Sequence, residues 1–125
     1  MQLKLELLAP AKNRDIGIAA ITCGADAVYI AGPSFGAREA AGNSLSEIAE
    51  LVEFAHKFGA KVYMTINTIV YDNELRALQN QIDEAYKIGI DAFIVQDLGV
   101  LKLNLPPIPL FASTQTNIRT PEQAR

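Results

Sequence analysis

Three segments of the chain, CGADAVYIAG from Cys23, FGAKVYMTIN from Phe58 and IGIDAFIVQD from Ile88, share one pattern. Each has a glycine, a short polar step, and then an apolar run rich in β-branched and aromatic residues. Their glycines, Gly24, Gly59 and Gly89, are 35 and 30 residues apart, the size of one strand-helix unit in a parallel α/β fold. A glycine that ends a helix takes the left-handed conformation and lets the chain turn straight into a strand. The repeat therefore predicts where three helices stop and three strands start.

The helices are read from caps and period. SLSE is a capping box from Ser44 to Glu47, after which Leu45, Ile48, Ala49, Val52, Ala55 and Phe58 make one apolar face. A first helix is expected from about Asn13 to Cys23, a third from about Asp72 to Ile88 with Leu75, Leu78, Ile82 and Ala85 inward, and a short helical turn from Asp97 to Leu103. Strands are expected at 3–9, 26–30, 61–66, 91–95 and 108–112. They are nearly continuous apolar runs, as in a parallel sheet covered on both faces.

Strict alternation of strand and helix leaves an open doubly wound sheet or a (βα)8 barrel. LLAPAKNR after the first strand lacks the G-x-G-x-x-G of the dinucleotide-binding version, so the barrel is favoured. A whole barrel takes about 250 residues, and the 125 residues here hold four βα units and a fifth strand. The expected architecture is α/β: a single domain, 1–125, forming the N-terminal half of a TIM-type barrel. TPEQ, with Thr120 as cap, Pro121 in the first turn and Gln123 reaching back, has the form of a capping box and reads as the start of a fifth helix within which the chain is cut. Strands one and five would then be open edges, and self-association through them is expected.

Charge and cysteine content narrow the function. A net charge of −3 gives no basic field for holding a polyanion. No apolar run approaches the roughly 18 residues of a membrane span, and MQLKLELLAP alternates polar and apolar residues instead of opening like a signal peptide; a cytoplasmic protein is expected. Cys23 is the only cysteine, which leaves no internal disulfide and no multi-cysteine metal site within the chain; it is read as a small buried residue near a helix end. His56 is the only histidine and is read as a solvated helix residue far from the strands' carboxyl ends. Asp91 and Asp97 bracket strand four at opposite ends and make no acid-base pair.

In a barrel the working rim lies at the carboxyl ends of the strands. The residues there are Pro10 and Ala11 after strand one, Tyr29, Gly32 and the PSFGARE loop with Arg38 after strand two, Asn67 and Thr68 after strand three, Gln96 and Asp97 after strand four, and Ser113, Thr114, Gln115 and Asn117 after strand five. Arg38, Asn67, Gln96, Asp97, Ser113, Gln115 and Asn117 are the candidate substrate-binding residues; no catalytic residue is assigned. Asn67 and Asp97 are read equally well as turn or capping residues, and Arg38 equally well as paired with Glu39 or Glu47 at the surface.

ELLAPA, GADAVYIAG, the FGAR loop, AHKFGAKVYMTINT, IDAFIVQDLGVL and ASTQTNIRT together resemble the peptidase U32 family across essentially the whole chain. GPSFGAREAAGNSLSEIAELVEFAH and LNLPPIPLFASTQTNIRT look most like the branch that makes 5-hydroxycytidine in 23S ribosomal RNA. The resemblance implies a barrel-type domain, an RNA or small-molecule substrate for the longer protein, and an iron-sulfur cluster held by cysteines beyond this segment. It also leaves open tRNA uridine hydroxylation and the collagenase-like protease activity behind the family's name. Cys23 matches no cluster-ligand motif, so the segment by itself is expected to hold no cofactor and to be catalytically silent.

Overall fold

Each repeated glycine lies in the left-handed region, with φ of +107° at Gly24, +71° at Gly59 and +96° at Gly89. Each closes its helix in the same way. The glycine N–H donates three residues back, to the carbonyls of Ile21, His56 and Tyr86, at 3.0, 3.2 and 3.1 Å. The next N–H donates five residues back, to Ala20, Ala55 and Ala85, which completes a Schellman motif. The residue after that enters the sheet: Asp26 N–H donates to Leu7, Lys61 N–H to Asp26 and Asp91 N–H to Val62. Three similar stretches of sequence thus make three equivalent helix-to-strand turns.

The computed structural model describes residues 4–35 and 42–125, without the side chain of residue 115. In chain order the elements are β1 (Leu8–Ala11), α1 (Arg14–Thr22), β2 (Ala27–Ala31), α2 (Leu45–Lys57), β3 (Lys61–Ile66), α3 (Leu75–Lys87), β4 (Ala92–Val95) and β5 (Leu110–Ala112). A 3-10 turn, Asp72–Glu74, leads into α3, and two more, Leu98–Lys102 and Thr114–Thr116, follow β4 and β5. The strands pair in sequence order, all parallel. This is the α/β arrangement expected for half of a barrel.

The helix-facing side of the sheet carries the main core. Val28, Ile30, Val62, Met64, Ile66 and Phe93 pack beneath Ile48, Leu51, Val52, Leu78, Ile82 and Ala85, and all are buried. Ser44 caps α2 by accepting from Glu47 N–H at 3.3 Å, and Asn13 caps α1 by accepting from Ile16 N–H at 2.9 Å. Helices α1 and α2 meet at Gly17, where an added Cβ would come within 2.8 Å of Leu51. Between β4 and β5 there is no α-helix; Val100, Leu103, Leu105 and Ile108 in the 3-10 turn and linker pack on the core in its place.

Several expectations are corrected. Among the described residues strand one is Leu8–Ala11, where 3–9 was expected; residue 3 lies outside the described residues, and at Leu7 only the carbonyl meets the β2 backbone, its N–H being taken by the Asp26 carboxylate at 2.8 Å. Pro10 and Ala11 therefore lie inside β1. Phe58 caps α2 and is 68% exposed, while Leu51 takes the inward place. Cys23 is exposed, since the cap position projects beyond the packed face. His56 is an exposed residue of α2, as expected, and in addition bonds Asp91 at 2.9 Å. The TPEQ segment makes one turn: Thr120 Oγ1 accepts from Gln123 N–H, but the Gln123 side chain accepts from Arg119 N–H, one residue before the cap.

The two outer strands present different edges. Leu7 O accepts from Ala27 N–H, so by alternation Leu7, Ala9 and Ala11 face β2 while Leu8 and Pro10 face outward. Proline has no N–H, which leaves Leu8 as the one outward donor of β1. At β5, Pro109 O and Ser113 N–H bond β4, so Leu110 and Ala112 face outward with both donors and both acceptors.

Candidate functional site

The other side of the sheet is the concave one. The register aligns Pro10, Tyr29, Tyr63 and Ala92 in one layer, and Ala31, Thr65, Ile94 and Phe111 in the next toward the carboxyl ends. With side chains alternating between faces, Lys12 follows β1 beside Ala31 in that second layer, and Asn67, Gln96 and Ser113 come one step beyond on the same side. An open cleft of about 1070 Å³ runs along this face, walled by Tyr29, Tyr63, Ile94 and Phe111, with Lys12, Asn67, Ser113 and Thr114 among the residues at its upper end. A shallower hollow of about 440 Å³, lined by Arg14, Glu50, Phe54 and Lys57, lies on the helix side between α1 and α2. It is away from the strand ends, and there Arg14 is paired with Glu50 and Asp15.

Glu6 and Tyr63 form the floor. The phenol reaches both carboxylate oxygens, at 3.0 and 2.9 Å, and its ring meets Phe111 edge-on with centroids 5.3 Å apart. Burial, then the hydrogen bond and charge of Glu6, push the Tyr63 hydroxyl up to about 12. The phenol therefore stays protonated at neutral pH and acts as a donor.

The expected site residues divide into groups. Asn67 and Ser113 line the cleft, Asn67 half-buried and Ser113 buried, with Ser113 N–H donating to Val95 O at 2.8 Å. Gln96 is half-buried beside that rim, its N–H on Ile66 O, and its side chain is not one of those lining the cleft. Asp97 faces a different task. Its carboxylate accepts Val70 N–H at 2.9 Å and Gly99 N–H at 2.8 Å, stapling the loop after β3 to the turn after β4. Those two donors, Val70 first, hold its carboxyl below the usual carboxylate value. Asn117 sits in an exposed turn with φ of +54°, its side chain accepting from Arg119. Gln115 belongs to the 3-10 turn Thr114–Thr116. Arg38 lies outside the described residues.

Sequence reasoning passed over Glu6, Lys12, Tyr63 and Phe111. A signal for Tyr63 was present: VYIAG and VYMTI place tyrosines that the register sets side by side on the concave face. Asn43 was also missed. It is 5% exposed, and its Nδ2 donates to Lys12 O at 3.0 Å and Ala31 O at 3.1 Å, tying the ends of β1 and β2 together. On the opposite end of the sheet, Asp91 accepts from Val62 N–H and bonds His56, well away from the cleft. Among the described residues no group of three His, Cys, Asp or Glu side chains is arranged to hold a metal.

Comparison with known proteins bears on what this cleft serves. The family described as Peptidase family U32 matches residues 12–125. The 23S rRNA 5-hydroxycytidine C2501 synthase of Escherichia coli is 57% identical over 122 residues, covering 98% of this chain and 19% of its own length. The tRNA hydroxylation protein P of Helicobacter pylori is 39% identical over 120 residues, covering 92% and 28%. The chain thus spans about a fifth to just over a quarter of the length of these two curated relatives. Among solved structures, the U32 peptidase Mk0906 superposes with a TM-score of 0.68 at 15% identity, over 99% of this chain and 56% of that one, a likeness of fold.

Proposed function

This chain belongs to peptidase family U32, and from that premise we propose that it supplies the N-terminal half of a barrel to a longer protein that hydroxylates cytidine in 23S ribosomal RNA. The observation that carries this reading is the 57% identity to the E. coli synthase across 98% of the chain, against 39% for the tRNA-directed relative. The polar rim around Asn67 and Ser113 would contact the substrate. Most of the surface that holds the RNA backbone would come from outside this segment, whose net charge is −3.

An iron-sulfur cluster needs several thiolates. The single cysteine here, Cys23, is exposed at the end of α1, away from the rim, so these residues do not fit a cluster. A peptidase reading draws on the family name. Against it, the nearest His–carboxylate pair, His56 and Asp91, lies at the amino ends of the strands. Acting on ribosomal RNA, the protein would work in the cytoplasm, and no helix among the described residues is long and apolar enough to cross a membrane. As an isolated segment it would self-associate, chiefly along the β5 edge with its two free donors.

Nucleoside mass spectrometry of 23S ribosomal RNA with and without the gene tests the proposal. Loss of 5-hydroxycytidine on deletion is expected. Unchanged ribosomal RNA would overturn it and shift the weight to the tRNA-directed reading.

A further inference from the structure

Of the charged side chains lining the cleft, Glu6 is the acid and Lys12 the only base. Their positions differ in kind. Glu6 lies at the floor with both oxygens on the Tyr63 hydroxyl. Lys12 follows β1 at the opposite end, six residues later, so the two charges are separated by roughly 20 Å of near-extended chain. Lys12 takes part in no ion pair among the described residues. Its backbone is nonetheless fixed, because the buried Asn43 amide donates to its carbonyl at 3.0 Å. A positioned, unpaired cation at the mouth of a cleft with aromatic walls, in a chain of negative net charge, is an arrangement suited to an anion.

We infer that Lys12 anchors an anionic ligand through a phosphate or a carboxylate, with the body of that ligand lying against Tyr29, Ile94 and Phe111. The polarity of the cleft sets its orientation: the anionic group sits at the rim, and an uncharged end points toward the Glu6–Tyr63 floor, where a second negative charge would be repelled. The aromatic wall accepts a ring face or edge. The inference rests on the cleft described above and deepens the proposed function by naming an anchoring residue, but it holds for an RNA nucleotide and for a small carboxylic acid alike.

The test is binding, read from the backbone amide NMR shifts of Ala31, Thr65 and Ser113 in the 125-residue chain. Four probes form two pairs: cytidine 5′-monophosphate with cytidine, and benzoate with benzyl alcohol. In at least one pair the anion should bind ten or more times more tightly than its neutral counterpart. Lys12→Gln should abolish that preference and Lys12→Arg should keep it; the Lys12 side chain is exposed and Asn43 holds the Lys12 backbone carbonyl, which both variants keep, so both should fold. A preference confined to the monophosphate identifies phosphate as the anchored group. One confined to benzoate identifies a carboxylate, upholding the inference whatever the ribosomal RNA assay shows. Equal binding of charged and neutral probes, no binding of any, or a preference that survives in Lys12→Gln would overturn it.

Discussion

The two faces of the sheet are built from the same five strands and do opposite things. The helix-facing side presents Val, Ile, Met and Phe that are all fully buried, and its cost of change is packing. The concave side presents Tyr29, Ile94 and Phe111 around a cleft, with Phe111 45% exposed, and its polar groups sit at the ends of the strands. One strand can serve both because successive residues point to opposite sides: in β3, Val62, Met64 and Ile66 hold the fold while Tyr63 and Thr65 face the cleft. Stability and binding are therefore separable within a single strand.

The sharpest way to break this comparison is a pair of matched truncations. Phe93→Ala on the helix side should destabilise the chain by about 3–5 kcal/mol. Phe111→Ala on the cleft side should cost about 1 kcal/mol, in keeping with its partial burial. Equal shifts in urea midpoint would show that the concave face is as much a core as the other. A smaller effect is expected at the floor. Tyr63→Phe removes the donor to Glu6 and should cost about 1 kcal/mol.

That same hydroxyl gives a pH signature. Its folded value is raised, so its contribution is complete below the ordinary tyrosine value of 10.0 and is lost as pH climbs toward about 12. An ultraviolet titration should show one of the four tyrosines ionising last, and that step should vanish in Tyr63→Phe. The least change is expected at Asp97. Its folded value is depressed, so its contribution is present above the ordinary 3.8 and is lost as pH falls through the lowered value. Wild type should therefore lose more stability on acidification than Asp97→Asn; parallel acid curves would mean that the loop staple carries no weight.

The fold was legible because its signals are local. Gly24, Gly59 and Gly89 announce their own conformation, Ser44 and Glu47 their cap, and β3 lies where its apolar run was expected, at Lys61–Ile66. The first strand was misplaced because LELLA looks like a strand, whereas its pairing depends on Asp26, far along the chain. The site was read less well for a related reason. Polar type and rim position selected Asn67 and Ser113, which line the cleft, but also Asp97 and Asn117, whose side chains are engaged by Val70, Gly99 and Arg119. The floor contact between Glu6 and Tyr63 joins residues 57 positions apart, and no short motif carries that information.

Pro10 has a consequence for the order in which the chain is made. β1 leaves the ribosome before the other four strands of this sheet, and its partner within the sheet begins at Ala27, so β1 waits without β2 while the whole of α1 is synthesised. A lone strand with a full row of donors would be open to wrong partners during that wait. Placing a proline at an outward position thins those donors to Leu8 alone and leaves the inward row, the one β2 will use, intact. The nascent strand is thereby selective about its neighbour before the neighbour exists.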